Sequence, residues 1–212
     1  MNKLKLWYYE KMAEKTVESL KLNGFDGCYV KTAFEAKEMV LGMIPENGKI
    51  GFGSSKTLEE IGLLAVFENM KDKLITATGD LPMDIRIEQR RKALLSDIFL
   101  TSTNAVTLDG KLINIDGTGN RVAAMIFGPK KVVIIAGVNK ITKNVEEALA
   151  RTREYAAVIN AKRLNRKTPC VTTGRCEDCQ SAERICKVTT IIEKKPHATD
   201  ISVIIVGEEL GY

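Results

Sequence analysis

Lys131-Val-Val-Ile-Ile-Ala136, running straight into Gly137-Val138-Asn139-Lys140, decides the fold of this chain. An unbroken aliphatic run bounded by charge and by glycine predicts a strand buried on both faces. Such strands belong to parallel sheets covered by helices. Working outward, the same strand, loop, helix order recurs. Lys49-Ile-Gly-Phe-Gly53 reads as a buried strand entering a glycine turn, with a helix from Thr57. Phe25 to Val30 reads as a strand and Ala33 to Ile44 as a helix stopped by Pro45. Lys73 to Ala77 and Asp97 to Thr101 read as strands around a basic helix, Ile85 to Leu95. Ala105 to Ile115 is expected to be a hairpin turning at Asp109-Gly110, and helices are expected over Arg121 to Phe127 and Val145 to Ala157. Residues 3 to 23 carry Leu4, Trp7, Tyr8, Met12, Val17 and Leu20 at helical spacing before the stop at Asn23-Gly24. Val188 to Ile192 and Ile201 to Val206 read as strands that return to the sheet or pair as a hairpin beside it. The pattern predicts an α/β fold, a mainly parallel sheet flanked by helices, in one domain spanning residues 1–212.

Four cysteines crowd between Cys170 and Cys186, whereas the rest of the chain holds only Cys28. Cys170, Cys176, Cys179 and Cys186 are spaced x5, x2 and x6. A Cys-x2-Cys pair offers two thiolates to one metal from a single turn, and the flanking thiols complete a set of four. Residues 168–187 are therefore expected to be a metal-binding segment, with iron–sulfur, zinc and a redox dithiol as the alternatives. Glu177 and Asp178 between the central pair disfavour the dithiol, because carboxylates raise thiol pKa values. The spacing lacks the run of a two-cluster ferredoxin, so one centre is expected, most simply a single 4Fe-4S cluster. Three thiol ligands would leave one iron open to a substrate oxygen, and four would favour electron transfer or structure. The lone histidine, His197, sits in a polar turn, which leaves histidine-based acid–base chemistry without support.

At 44% apolar residues the chain can bury one ample core, and no apolar run approaches the ~20 residues needed to span a bilayer. With no signal peptide visible, a cytoplasmic location is expected. The formal charge of +5 comes from interspersed groups such as Arg90-Arg91-Lys92 and Lys162-Arg163, which read as solvated helix faces. No nucleic-acid partner is expected, and a small anionic ligand is. Three loops at expected strand ends could hold it. Gly53-Ser54-Ser55-Lys56-Thr57 offers backbone N–H groups at a helix start, and Ala136 to Lys140 offers Asn139 and Lys140. Asn114-Ile115-Asp116-Gly117-Thr118-Gly119-Asn120-Arg121 offers Asp116 to a hydroxyl and Arg121 to a carboxylate. The plain alternatives are helix caps, an Asx turn, a surface arginine and an exposed lysine.

Gly53-Ser-Ser-x-Thr-Leu-x-Glu-x-Gly62, Asp97-x-Phe-Leu-Thr with Asn104-Ala, Asp109-Gly-x-Leu-x-Asn-Ile-Asp-Gly-x-Gly-Asn-Arg-Val122, Phe127-Gly-Pro-Lys-Lys-Val and Ala136-Gly-x-Asn-Lys140 together resemble the lactate-utilisation (LUD) domain family, LutC/YkgG type. The resemblance covers nearly the whole chain. It implies a fold similar to the sugar-phosphate isomerase and CoA-transferase (NagB/RpiA) group, whose ligand site is built from loops at strand ends, with Gly53, Ser54, Ser55 and Thr57 similar to its phosphate-binding turn and Asp116 and Gly117 to its catalytic-side loop. Together with Asn104, Gly119, Asn120, Arg121, Asn139 and Lys140 these are the residues expected around the ligand. It also implies lactate or hydroxy-acid metabolism, as an iron–sulfur-dependent enzyme or enzyme subunit beside iron–sulfur redox subunits of a lactate-oxidising system. The alternative is a non-catalytic assembly subunit with a structural zinc site. A homo-oligomer is left open.

Overall fold

The computed structural model describes residues 2–75, 77 and 81–212. In chain order the strands are β1 (Asp26–Val30), β2 (Ile50–Phe52), β3 (Leu74–Ile75), β4 (Ile98–Ser102), β5 (Ala105–Thr107), β6 (Leu112–Asp116), β7 (Lys131–Gly137), β8 (Ile141–Thr142), β9 (Val188–Ile192) and β10 (Asp200–Val206). The helices are α1 (Lys3–Leu22), α2 (Ala33–Met43), α3 (Lys56–Glu60), α4 (Leu63–Phe67), α5 (Met83–Ala93), α6 (Asn120–Ile126), α7 (Val145–Ala150), α8 (Ala157–Arg163) and α9 (Pro169–Thr173). Of the strand expected over residues 73–77, Leu74–Ile75 is observed, and Thr76 lies outside the described residues.

Six strands form an all-parallel sheet in the order β1-β10-β7-β4-β2-β3. β7 is central, paired with β10 from Lys131↔Asp200 to Gly137↔Val206 and with β4 from Lys131↔Ile98 to Ile135↔Ser102. Its side chains alternate between two cores. Val132, Ile134 and Ala136 pack with α1 and α6 residues such as Leu20 and Met125, while Val133 and Ile135 pack with Val40, Leu58 and Leu63 of α2, α3 and α4. Both faces are dry, which is why the strand reads as a continuous apolar run rather than an alternating one. Each fully buried Val or Ile contributes roughly 1.5–3 kcal/mol.

A second sheet, β8-β5-β6-β9, sits beside the first and holds the β5–β6 hairpin. At its turn Gly110 takes φ +79°, and a Cβ there would come within 2.6 Å of the Ser19 backbone, so α1 packs directly on the turn. The two C-terminal strands do not pair with each other. β9 runs antiparallel to β6, and β10 crosses into the main sheet between β1 and β7. In α1 the face formed by Ala13, Thr16, Val17 and Leu20 is buried, but Leu4 and Trp7 of the expected apolar stripe are 78% and 60% exposed. The helix expected over Val145 to Ala157 extends to Arg163, and Arg151–Ala156 within it is π-helical. Among the described residues no helix is long and apolar enough to cross a membrane.

Candidate functional site: a basic cleft at the strand ends

The carboxyl ends of β2, β4 and β7 open into a cleft of about 480 Å³. Ten of the twelve expected ligand residues line it: Gly53, Ser54, Ser55, Thr57, Asn104, Asp116, Gly117, Asn120, Arg121 and Lys140. Gly119 and Asn139 do not. Gly119 N–H donates to Asp116 Oδ1 at 2.7 Å inside the turn. Asn139 holds the C-terminal segment, accepting from Leu210 N–H at 3.1 Å and donating to the Gly211 carbonyl at 3.3 Å.

Arg121 is a clamp between loops. Its guanidinium donates to the carbonyls of Ser102 (3.0 Å) and Ile115 (2.8 Å) and to the side-chain oxygens of Asn104 and Asn114. Nε faces Asp116 Oδ2 at 3.5 Å. Every N–H of the fork therefore has a protein acceptor. Asp116 is likewise occupied: Oδ1 accepts from Thr118 N–H and Gly119 N–H, and the side chain is 9% exposed. These two residues shape the cleft wall; their expected roles, on a carboxylate and on a hydroxyl, meet groups already engaged within the protein. The Gly53–Thr57 turn departs in the same direction. Ser55 caps α3, a helix of only five residues, and Ser54 accepts from Arg163 at 3.1 Å.

Lys140 is the residue whose setting the sequence misjudged. It is not an exposed lysine beside a helix start but 3% exposed at the cleft floor, at the end of a 3₁₀ turn leaving β7. Nζ donates to Thr57 Oγ1 and Ser102 Oγ, each at 2.8 Å. Among the described residues it forms no ion pair with a carboxylate. Burial, then the nearby positive charges of Arg151 and Arg121, lower its pKa to about 7, against a small upward pull from Glu60. Ser102 was not anticipated, although a polar residue closing an otherwise apolar strand at its carboxyl end was a readable signal.

The rim adds Lys56, Arg86, Arg90, Arg163 and Arg166, so among the described residues seven cationic side chains line the cleft against one carboxylate, that of Asp116. Arg91, Lys92, Lys162 and Arg163 are exposed on helices as expected, and Arg90 and Arg163 also reach the cleft rim. Arg90 donates to Thr118 Oγ1 at 3.3 Å, and Arg163 bridges Ser54 and Asn160. Low-dielectric walls lined by one sign of charge focus the field, so the potential in the cleft is positive.

The cysteine segment passes over one side of the cleft. Ile185 lines it, a Cβ on Gly117 would touch the Ile185 backbone at 3.1 Å, and Lys187 N–H donates to the Asp116 carbonyl. Cys170, Cys176, Cys179 and Cys186 are free thiols in half-buried positions. Burial raises the Cys186 thiol, and Cys176 and Cys179 lie close enough to raise it further. Arg184 draws this stretch together, bonding the carbonyls of Cys179 and Cys186 and pairing with Asp178 at 2.8 Å. Soft, unpaired thiols in this number suit an iron–sulfur or zinc centre. Among the described residues, however, no three His, Cys, Asp or Glu side chains are arranged as a metal ligand set. Cys28 lies partly buried on β1 with Sγ 3.4 Å from Met39 Sδ, and His197 is exposed; both stand apart from the cleft.

The LUD domain family model matches residues 13–206, and the chain belongs to that family. Its fold is similar to that of a DUF162 family protein from Deinococcus radiodurans, known from a crystal structure, at 14% identity and a TM-score of 0.53 over 93% of this chain and 98% of that one. No curated protein matches the chain.

Proposed function

We propose that this LUD-domain protein binds a small carboxylate or phosphorylated hydroxy acid, or the oxo acid derived from it, in the basic cleft, beside one iron–sulfur centre held by the C-terminal thiols. The observation that carries the reading is the charge of the cleft: among the described residues, cationic groups from five separate segments converge there with a single facing carboxylate, itself committed to Arg121 and the turn. Charges held in that way raise the fold's energy when the cleft is empty and are compensated by an anion. Lys140 supplies the innermost donor. Arg90, Arg163 and Arg166, which form no ion pair among the described residues, supply the outer ones.

Cys176, Cys179 and Cys186 would hold the centre, with Cys170 as a fourth thiol. When bound, such a centre supplies a route for electrons, or a Lewis-acidic iron if only three thiols engage it. The protein's own part is to hold the acid: the cationic rim orients its anionic group and Ile185 restricts water on the side nearest the thiols.

Calorimetry with L-lactate, pyruvate and phosphoglycolate tests the cleft. Binding of at least one of them, weakened roughly tenfold or more in Lys140→Met through loss of a charge-assisted hydrogen bond, is expected. Absence of binding by every anion would remove the reading. Anaerobic purification with iron, sulfide and zinc analysis tests the centre, and stoichiometric zinc without iron would replace it by the assembly-subunit alternative.

A further inference from the structure

Lys140 has a valence that anion binding does not use. Ser102 Oγ gives its own hydrogen to the Thr103 carbonyl at 3.2 Å, so it can only accept from Lys140 Nζ. Thr57 Oγ1 lies at the same 2.8 Å from Nζ. A neutral amine that donates both N–H groups to these two hydroxyls keeps a lone pair, and the residue lines the cleft. The charged groups acting on it from the packed elements are Arg151, Arg121 and Glu60, and the first two oppose its protonation. Gly211 of the C-terminal segment closes the remaining side, where a Cβ would come within 3.3 Å of Nζ. A lysine meant only as a permanent cation gains from solvent or a carboxylate, as Lys56 does beside Glu59 on the rim. Lys140 has neither among the described residues.

Resting on the cleft as the anion site, we infer that Lys140 is a nucleophile toward the carbonyl of an anionic 2-oxo acid, which it binds covalently as an imine. The Nζ lone pair forms a bond to the carbonyl carbon while the carbonyl π electrons move to oxygen. That oxygen then leaves as water, taking the two hydrogens that the amine brought, and a carbon–nitrogen double bond remains. No oxidant or reductant enters. Desolvated lysines suit this chemistry because a useful fraction is unprotonated near neutral pH. A pKa of about 7 leaves about half of Lys140 in that form at neutrality. The class of ligand also fits the cleft, since a hydroxy acid and its oxo acid share the carboxylate that the arginines hold.

The test is borohydride trapping of the full-length protein with pyruvate and with glyoxylate, followed by peptide mass mapping of every lysine. The expected result is a reduced adduct on Lys140 at least about tenfold above any exposed lysine, given the gap in pKa. Lys140→Arg should lose it, while the other lysines keep the labelling they have in the wild type. Normal anion binding with no Lys140 adduct from either acid overturns the nucleophile and leaves the cleft intact as a binding site. Adducts spread evenly over surface lysines overturn it equally. Failure of all anions to bind the wild type removes both readings at once.

Discussion

The cleft floor and the cysteine segment touch at Gly117 and Ile185, yet they are held in place by opposite means. In the floor, Lys140 bridges residues 83 and 38 positions away in sequence, and Arg121 reaches acceptors on three segments. These bonds tie α3, α6 and the 3₁₀ turn after β7 to the end of β4 and to β6. Among residues 168–187, by contrast, only Thr168 is buried. Most of the segment's bonds are short-range, such as Arg175 to Glu177, Arg184 to Cys186 and Cys179, and Gly174 to Cys170, while Lys187 N–H to the Asp116 carbonyl ties its end to the cleft wall. Asp178 even adopts φ +42°, a left-handed conformation with no glycine to ease it. The floor is thus set by folding itself. The segment buries little apolar surface of its own.

Arg121 is where that contrast is broken most severely. Arg121→Met would remove the ion-pair partner of Asp116 and one donor from each of the oxygens of Ser102, Asn104, Asn114 and Ile115 in a part-buried setting. Removing one partner of such a network costs about 3–5 kcal/mol. Urea unfolding should show a loss of that order together with loss of anion binding. A variant as stable as the wild type would mean that the floor is not organised through this fork.

The parallel sheet was legible because its signal is local: an aliphatic run such as Val132–Ala136 and glycine or polar turns at regular distances. The loops that line the cleft were legible for the same reason, as small and polar residues placed after strands. Burial of a polar side chain was not. Lys140 and Arg121 look like surface residues in sequence, since only the crossing of β7, β4 and β6 encloses them. Arg163 is on the rim because a π-helical stretch carries the helix past its expected end, and no periodicity announces that. The second sheet was hidden as well. β9 pairs with β6 across more than seventy residues, a register set by tertiary contacts alone.

Lys140 sharpens the contrast from the side of stability. Its folded pKa of about 7 lies below the unfolded 10.5, so between these values the unfolded chain binds a proton that the folded one does not. Stability from this residue therefore rises with pH across that window, by a slope approaching about 1.4 kcal/mol per unit. Lys140→Met removes the slope. At pH 7 the variant should exceed the wild type in unfolding midpoint, and its advantage should shrink steadily toward pH 9. A constant difference over that range would mean that Lys140 is protonated in the folded state throughout and that the floor carries a permanent charge.

The smallest effect is expected on the other side of the comparison. Cys186 is half-exposed, and the neighbouring contacts, the Lys187 N–H to the Asp116 carbonyl and the Arg184 bonds to carbonyl oxygens, are made by backbone groups or by other side chains. In metal-free protein, Cys186→Ala should shift the unfolding free energy by less than about 1 kcal/mol, as surface substitutions generally do. The same variant should fail to retain iron through anaerobic gel filtration. If apo Cys186→Ala instead loses several kcal/mol, the thiol is part of the protein core and the segment is as preformed as the floor. If it keeps both its stability and a full complement of iron, the centre rests on Cys170, Cys176 and Cys179, and the thiol nearest the cleft is spare.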